Sequence, residues 1–342
     1  MLRLQNRDFI RIGYDVELPL IGSIAFGIID RGTNILQVRA NSYCPLNCIF
    51  CSTDAGPNSR WRRCEYRVDK DLLVSWVKEV VKFKKKDVEI HLDSVGEPLM
   101  YDKLPDLIQE LKSIPNVKVV SIQTHGSLLS YKYAERLTSA GLDRINLSID
   151  TLDQEKAKYL QGAEWYNVKR IMEITEWILR NTNTDILLAP VLLHGINDTD
   201  VEDVIKWGKS IGVGKRFPGF GIQVFMKHKH GRIPKDVKII NMKKFEKILL
   251  LWEKKYNVKL RLSEEDFGIK KLPMIPTIFK EGEKVKVKIV APGWLKNEWL
   301  AVPVGKEESR VITVIGKELD IESKINVRII KNKHNIYLAR PL

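Results

Sequence analysis

The chain has 342 residues, 57 Lys and Arg against 43 Asp and Glu, and a net charge of +14. With 44% hydrophobic and 29% charged residues it is neither disordered nor fibrous, and no apolar run reaches the ~18 residues that a membrane span needs. Four cysteines in such a length exclude a secreted disulfide scaffold, and the opening MLRLQNRDFI lacks a signal peptide's apolar core, so a cytoplasmic protein with a metal or redox use for cysteine is expected.

Residues 1–33, punctuated by Gly13, Gly22, Gly27 and Gly32, read as a strand-rich lead-in. From 34 onward strand and helix patterns alternate. Short runs rich in Val, Ile and Leu predict strands at 34–43, 88–94, 118–123, 143–149, 185–191 and 219–225. Helices are predicted at 69–85, where Leu72, Leu73, Trp76, Val77, Val80 and Val81 share a face, and at 101–113, 131–140, 165–181, 199–211 and 241–255. Six strand–helix units in series argue for an α/β core over 34–270, built on a parallel sheet with right-handed crossovers. Its form is an open doubly wound sheet or a partial barrel. The pattern changes at Pro273 and Pro276. Beyond them, short strands at 283–290, 298–302, 309–314, 324–330 and 335–339 predict a small all-β barrel of OB or SH3 type over 279–342.

The strongest local signal is CPLNCIFC, which sets Cys44, Cys48 and Cys51 on a loop just after the strand at 34–43. Three soft thiolates this close converge on zinc or on an iron–sulfur cluster. A structural zinc site takes four protein ligands, and Cys64 is available as the fourth. Alternatively three cysteines hold a [4Fe–4S] cube and leave one iron open, unlike the four-cysteine clusters of ferredoxins.

The C-x3-C-x2-C spacing resembles that of the radical S-adenosylmethionine (SAM) superfamily. The resemblance implies a partial (β/α)6 barrel over roughly 34–255, a [4Fe–4S] cluster on Cys44, Cys48 and Cys51, and SAM on the open iron, cleaved to a 5′-deoxyadenosyl radical. It places Phe50 beside the adenine. Ser94-Val95-Gly96-Glu97-Pro98 is similar to the family's GGEP segment, so Gly96, Glu97 and Pro98 are expected at the methionine ammonium, with Val95 replacing the first Gly. Thr124-His125-Gly126 is similar to the TNG segment, and Ser148-Ile149-Asp150 to the S-x-D segment, which makes Thr124 and Ser148 expected SAM contacts; both hydroxyls alternatively cap the turns that follow. Asn197 or Asp198 reads as the cap of the helix near 199. All these segments follow strand carboxyl ends, the edge on which α/β active sites form.

Basic residues supply the remaining signal. Residues 279–342 carry 13 Lys and Arg against 8 Asp and Glu, and Lys284, Lys286 and Lys288 alternate with apolar neighbours. With Trp294 and Trp299 nearby, this module resembles a TRAM domain, an RNA-binding barrel; a solvated edge strand guarded by lysines is the alternative. Arg60, Arg62 and Arg63 beside Trp61, and Lys227, Lys229 and Arg232 after the sixth strand, are further RNA candidates. Cys64, beside these arginines, is a candidate hydrogen donor or nucleophile, or an inert core thiol. The expectation is a radical SAM enzyme that modifies RNA, tRNA above all, and draws on an electron donor. No cysteine precedes Cys44, which argues against the sulfur insertion of methylthiotransferases. A radical SAM enzyme of cofactor or lipid biosynthesis, and a non-enzymatic zinc or iron–sulfur RNA-binding protein, are the rivals.

Overall fold

The computed structural model describes residues 2–4, 7–305 and 310–342; residues 1, 5 and 6 of the lead-in, Lys306, and residue 309 of the expected strand 309–314 lie outside the described residues. The lead-in contributes β1 (Leu2–Leu4), β2 (Arg7–Ile12) and β3 (Gly27–Asp30), and β3 turns back antiparallel onto β4 (Ile35–Arg39). After the cysteine loop comes β5 (Cys64–Val68), a strand the sequence pattern did not suggest. It pairs parallel with β2 in a separate three-stranded sheet, β1-β2-β5.

The repeating units follow: α1 (Lys70–Lys84), β6 (Val88–Leu92), α2 (Leu104–Ser113), β7 (Val117–Thr124), α3 (Tyr131–Ser139) and β8 (Arg144–Leu147). Two helices, α4 (Gln154–Gln161) and α5 (Val168–Asn181), then precede β9 (Asp185–Leu188). The expected single helix at 165–181 is α5 alone, and α4 was not foreseen. The main sheet runs β3-β4-β6-β7-β8-β9, parallel from β4 onward.

The sixth unit departs from the regular pattern. The run 185–191 breaks at Ala189-Pro190 into β9 and β10 (Val191–Leu192), since proline cannot donate to a ladder. After α6 (Asp198–Ile211), the run at 219–225 forms only β11 (Gln223–Val224), paired parallel with β10, while Phe220 bridges to Leu188. The result is a partial barrel, closed on neither edge by a regular strand pair among the described residues. Asn197 stands at the start of α6, but its side chain does not cap the helix. It accepts from Leu193 N (2.7 Å) and donates to the carbonyls of Asp150 and Val191, pinning the broken strand.

α7 (Met242–Tyr256) completes the core. Beyond it, β12 (Lys284–Pro292), β13 (Glu298–Pro303), β14 (Ile312–Ile315), β15 (Lys324–Lys331) and β16 (Leu338–Pro341) close a five-stranded barrel in the order β12-β13-β14-β16-β15. It has its own core around Val287, Ile289, Ile312, Val327 and Tyr337. Burial of the alternate residues of β12 explains why Val285, Val287 and Ile289 point inward and the lysines outward.

Two features fasten the parts together. Lys84 on the buried face of α1 pairs with Asp30 (2.7 Å) and donates to Pro273 O, while Asp30 also accepts from Ile275 N (2.8 Å), so the segment leading to the small barrel is tied to β3. A buried pair of this kind holds only because each charge has further hydrogen-bond partners. The small barrel also reaches the lead-in, where Val311 N donates to Ile21 O and Tyr337 N to Gly22 O. Among the described residues no helix is long and apolar enough to cross a membrane.

Candidate active site

The carboxyl ends of the parallel strands open into a cavity of about 800 Å³. Cys44, Cys48 and Cys51 line it, together with Phe50, Gly96, Glu97, Thr124 and Ser148. Eight of the nine residues expected at a cluster and SAM therefore share one cavity; the ninth, Pro98, is buried at the start of a short 3₁₀ turn, Pro98–Met100, just behind the wall.

The cysteine loop is held in place by two arginines. Arg62 is fully buried, pairs with Glu65, and donates to the carbonyls of Ser42, Thr53 and Val95. Arg232 pairs with Asp54 (2.9 Å) and donates to the carbonyls of Cys48 and Ala55. Both were expected on RNA; their donors are instead spent on the loop backbone, because a loop with few internal hydrogen bonds needs outside partners for its carbonyls. Their charges also reach the thiols, Arg62 favouring the thiolate of Cys44 and Arg232 that of Cys48.

α4 braces the same loop from the other side. Asn47 N and Ile49 N donate to the carbonyls of Gln161 and Leu160 at its C-terminus, and Cys48 Sγ donates to Gln161 Oε1 at 2.8 Å. Gly162 ends α4 with φ +59°, and a Cβ there would lie 2.3 Å from Asn47 O. Gln161 and Gly162 are site residues that sequence reading missed; Asp153 at the N-cap and Gly at the C-cap were the available signals.

The opposite wall carries the expected SAM contacts. Glu97 is 1% exposed, and its carboxylate accepts from Thr124 Oγ1 (2.6 Å), Leu99 N (3.1 Å) and His125 N (3.1 Å). Burial raises its pKa above the ordinary carboxylate value, against the pull of His125 and these donors. The Thr124 hydroxyl also accepts from Gly126 N (2.9 Å), so it caps its own turn as the alternative reading held. His125 spans the site: Nδ1 lies 3.1 Å from Ser148 O and Nε2 3.9 Å from Cys48 Sγ. Gly96 packs so tightly on the preceding loop that a Cβ would fall 2.2 Å from Tyr43 O, which explains a glycine at this point of the turn.

Three soft thiolates on one cavity wall fit an iron–sulfur cluster. Burial pushes the Cys44 and Cys48 thiols up, and each is pushed further by the neighbouring cysteines, so three thiolates here require a compensating cationic centre. Cys64 does not join them. It lies on β5, 0% exposed in the main hydrophobic core and away from the cavity lining. Burial pushes its thiol up and outweighs Arg63, contrary to the activation expected from neighbouring arginines. Its thiol is thus buried in the core and is not among the residues that line the cavity with Cys44, Cys48 and Cys51.

The RNA candidates divide. Arg63 is half-buried with its guanidinium 4.3 Å over the Trp299 ring, and Trp299 is buried with Nε1 donating to Gly316 O, so neither is the exposed stacking surface expected. Trp294 is half-buried under Arg62 (4.9 Å) and lines the cavity with Leu295, bringing the β12–β13 loop into the site wall. Lys229 lines the mouth and is exposed, as are Lys227 and Arg60. On the small barrel Lys284 and Lys286 are exposed, and Lys288 is half-buried and paired with Glu322.

A family model, that of the Radical SAM superfamily, matches residues 40–208. The chain is 42% identical over 345 residues to the uncharacterized protein MJ0103 of Methanocaldococcus jannaschii, covering 94% of this chain and 78% of that one. It is 32% identical over 175 residues to a probable GTP 3′,8-cyclase of Methanococcus aeolicus, covering 49% of this chain and 55% of the cyclase, so that it spans about half the length of such relatives. Among solved structures it is similar to TYW1 with a lysine-pyruvate adduct bound, at 17% identity and a TM-score of 0.47, over 70% of this chain and 79% of that one.

Proposed function

The chain belongs to the radical SAM superfamily, whose enzymes use a [4Fe–4S] cluster and SAM, and from this we propose that its cavity is the reaction chamber of an RNA-modifying radical enzyme. The observation that carries the reading is the convergence of Cys44, Cys48 and Cys51 with Gly96, Glu97, Thr124 and Ser148 on one cavity at the strand carboxyl ends. The three cysteines would ligate the cluster, and Phe50 would flank the adenine. Glu97 and the backbone at Gly96 would hold the methionine ammonium, and the Ser148 hydroxyl would meet the ribose or carboxylate. Bound together, the two cofactors supply a 5′-deoxyadenosyl radical that removes a hydrogen atom from substrate. The protein's part is to position and to exclude water, which is why the cavity needs no acid or base. An electron donor is required from outside the chain.

RNA as the substrate is supported by the outer face of the small barrel. Lys284 lies opposite Arg328, which lies opposite Arg340, and Lys288 lies opposite Lys324. Like charges paired across strands destabilise a sheet, so a face built this way is suited to phosphates that neutralise it. The test is binding of unfractionated tRNA across a salt series. The K284Q/K286Q/R328Q variant is expected to bind more weakly with a shallower salt slope, by about 0.7–0.9 per lost phosphate contact. Unchanged affinity and slope would remove RNA from the account.

A second reading, a nucleotide-sized substrate, is favoured by the polar wall of the cavity, where Gln37, His91, Asp93 and Gln123 face the interior. The match to GTP 3′,8-cyclases over half of the chain agrees with it. Turnover of a free nucleotide without RNA would decide for this reading.

A further inference from the structure

We propose that Arg39, assisted by Gln37, forms a subsite on the cavity wall for an oxyanion of the substrate, a phosphate or a carboxylate. The proposal rests on the reading of the cavity as the reaction chamber and deepens it by naming what the substrate must carry.

Arg39 ends β4, is 8% exposed, and lines the cavity beside Gln37, His91 and Asp93. One guanidinium nitrogen, Nη2, donates to Asp93 Oδ2 at 2.7 Å, and Nη1 donates to Ile24 O. The third, Nε, is buried without a hydrogen-bond partner among the described residues. Gln37 Nε2 donates to the same Asp93 oxygen (3.2 Å), and Gln37 Oε1 accepts from Arg31 Nε (3.0 Å). Two guanidinium groups are thus gathered around a single carboxylate.

Arg39 and Asp93 balance one another in charge, and Arg31 is exposed, but a buried N–H without a partner requires an explanation. An oxyanion meeting the planar fork of Arg39 supplies it. Burial, with repulsion from Arg39, lowers the pKa of Arg31 at the rim. His91 adds no further charge. Its Nδ1 lies 2.8 Å from Ser121 Oγ, and burial lowers its pKa, so it offers a neutral hydrogen-bonding edge. Neither the cysteine motif nor the expected SAM contacts use any of these residues.

The test is isothermal titration of cluster-loaded protein with inorganic phosphate, acetate and GTP, each with and without saturating SAM. The variants are Arg39→Gln, Arg39→Lys, which keeps a cation against Asp93 and so protects the fold, and Asp93→Asn, with Lys78→Gln on the outer face of α1 as control. Thermal melts show which variants are folded. Wild type and the control are expected to bind at least one probe. Arg39→Gln should weaken that binding about ten- to a hundredfold and Arg39→Lys less, as fits a hydrogen bond to a charged group. Asp93→Asn should tighten it by removing the competing carboxylate. Binding of phosphate and GTP but not acetate identifies a phosphoryl source, and binding of acetate alone a carboxyl source; both support the subsite. Equal affinities in wild type and Arg39→Gln overturn it, as does a loss confined to SAM, which would assign Arg39 to the cofactor. The same preparations are scored for 5′-deoxyadenosine with SAM and dithionite. Product without any Arg39-dependent anion binding sinks the subsite alone. Arg39-dependent binding without product sinks the radical reading and leaves the subsite standing.

Discussion

Glu97 shows how one buried carboxylate ties the site to pH. Desolvation raises its pKa above the ordinary 4.5, although three donors and His125 pull the other way. Between the unfolded value and the raised one, the folded chain binds the proton more tightly than the unfolded chain. The contribution of Glu97 to stability is therefore full below the unfolded pKa and is lost as pH rises through the folded one. Affinity for an ammonium runs oppositely, because only the carboxylate attracts it. SAM binding measured by titration is thus expected to strengthen as pH rises, through a window that lies above 4.5. Glu97→Gln should remove that pH dependence and weaken SAM about ten- to a hundredfold. An unchanged pH profile in Glu97→Gln would exclude it as the ammonium acceptor. Arg62 and Arg232 teach a different lesson at this scale. A cationic residue type in a loop near the site is read as a ligand for anions, but a loop short of backbone partners consumes guanidinium donors first.

At the scale of elements, the cysteine loop is only as ordered as the pieces that clamp it. α4 supplies two backbone acceptors and the Gln161 side chain, and its cap, Gly162, touches Asn47 O with no room for a methyl group. Gly162→Ala is expected to cost about 1 kcal/mol or more, since it combines a left-handed backbone with a close approach. Iron retained after anaerobic reconstitution should fall with it, and full iron loading would show that α4 is not a brace. The elements also show what could be read from the sequence. Helices with strong apolar faces, such as α1 and α7, fall within one or two residues of their predicted spans, and so do β6 and β7, because 3.6- and 2-residue periods are local properties. β5 and α4 escaped. The five residues of β5 alternate apolar and charged, but the run is short and follows directly on Arg60–Arg63, and its pairing with β2 spans some 56 residues, which no local pattern encodes. α4 has three buried side chains in eight and a polar surface, too weak a stripe to stand out. The cysteines and strand-end segments were legible because their residue types are chemically unusual; Arg39, Gln161 and His125 were not, because ordinary residues acquire their roles only through distant neighbours.

In the whole molecule the small barrel is part of the chamber as well as a basic surface. The β12–β13 loop places Trp294 and Leu295 in the cavity wall, Arg63 N donates to Trp294 O, and Lys296 N to Trp61 O. Ala291, Leu300 and Val311 pack into the main core rather than into the barrel's own. Deleting 279–342 is therefore expected to lower the melting temperature of the remainder and to abolish cluster retention, and a truncated chain that keeps iron and melts unchanged would make the barrel a detachable module. The charge of +14 belongs to this scale too, and cationic rows on that same barrel are part of it.

Under the proposed function three cysteines, and not four, create the reactive centre. The most direct measurement is 5′-deoxyadenosine formed from SAM and dithionite by anaerobically reconstituted wild type, Cys48→Ala and Cys64→Ala, with bound metal determined on the same samples. The account predicts product and iron in wild type and in Cys64→Ala, and neither in Cys48→Ala. No product from wild type, with zinc bound and lost on removing Cys64, would contradict it.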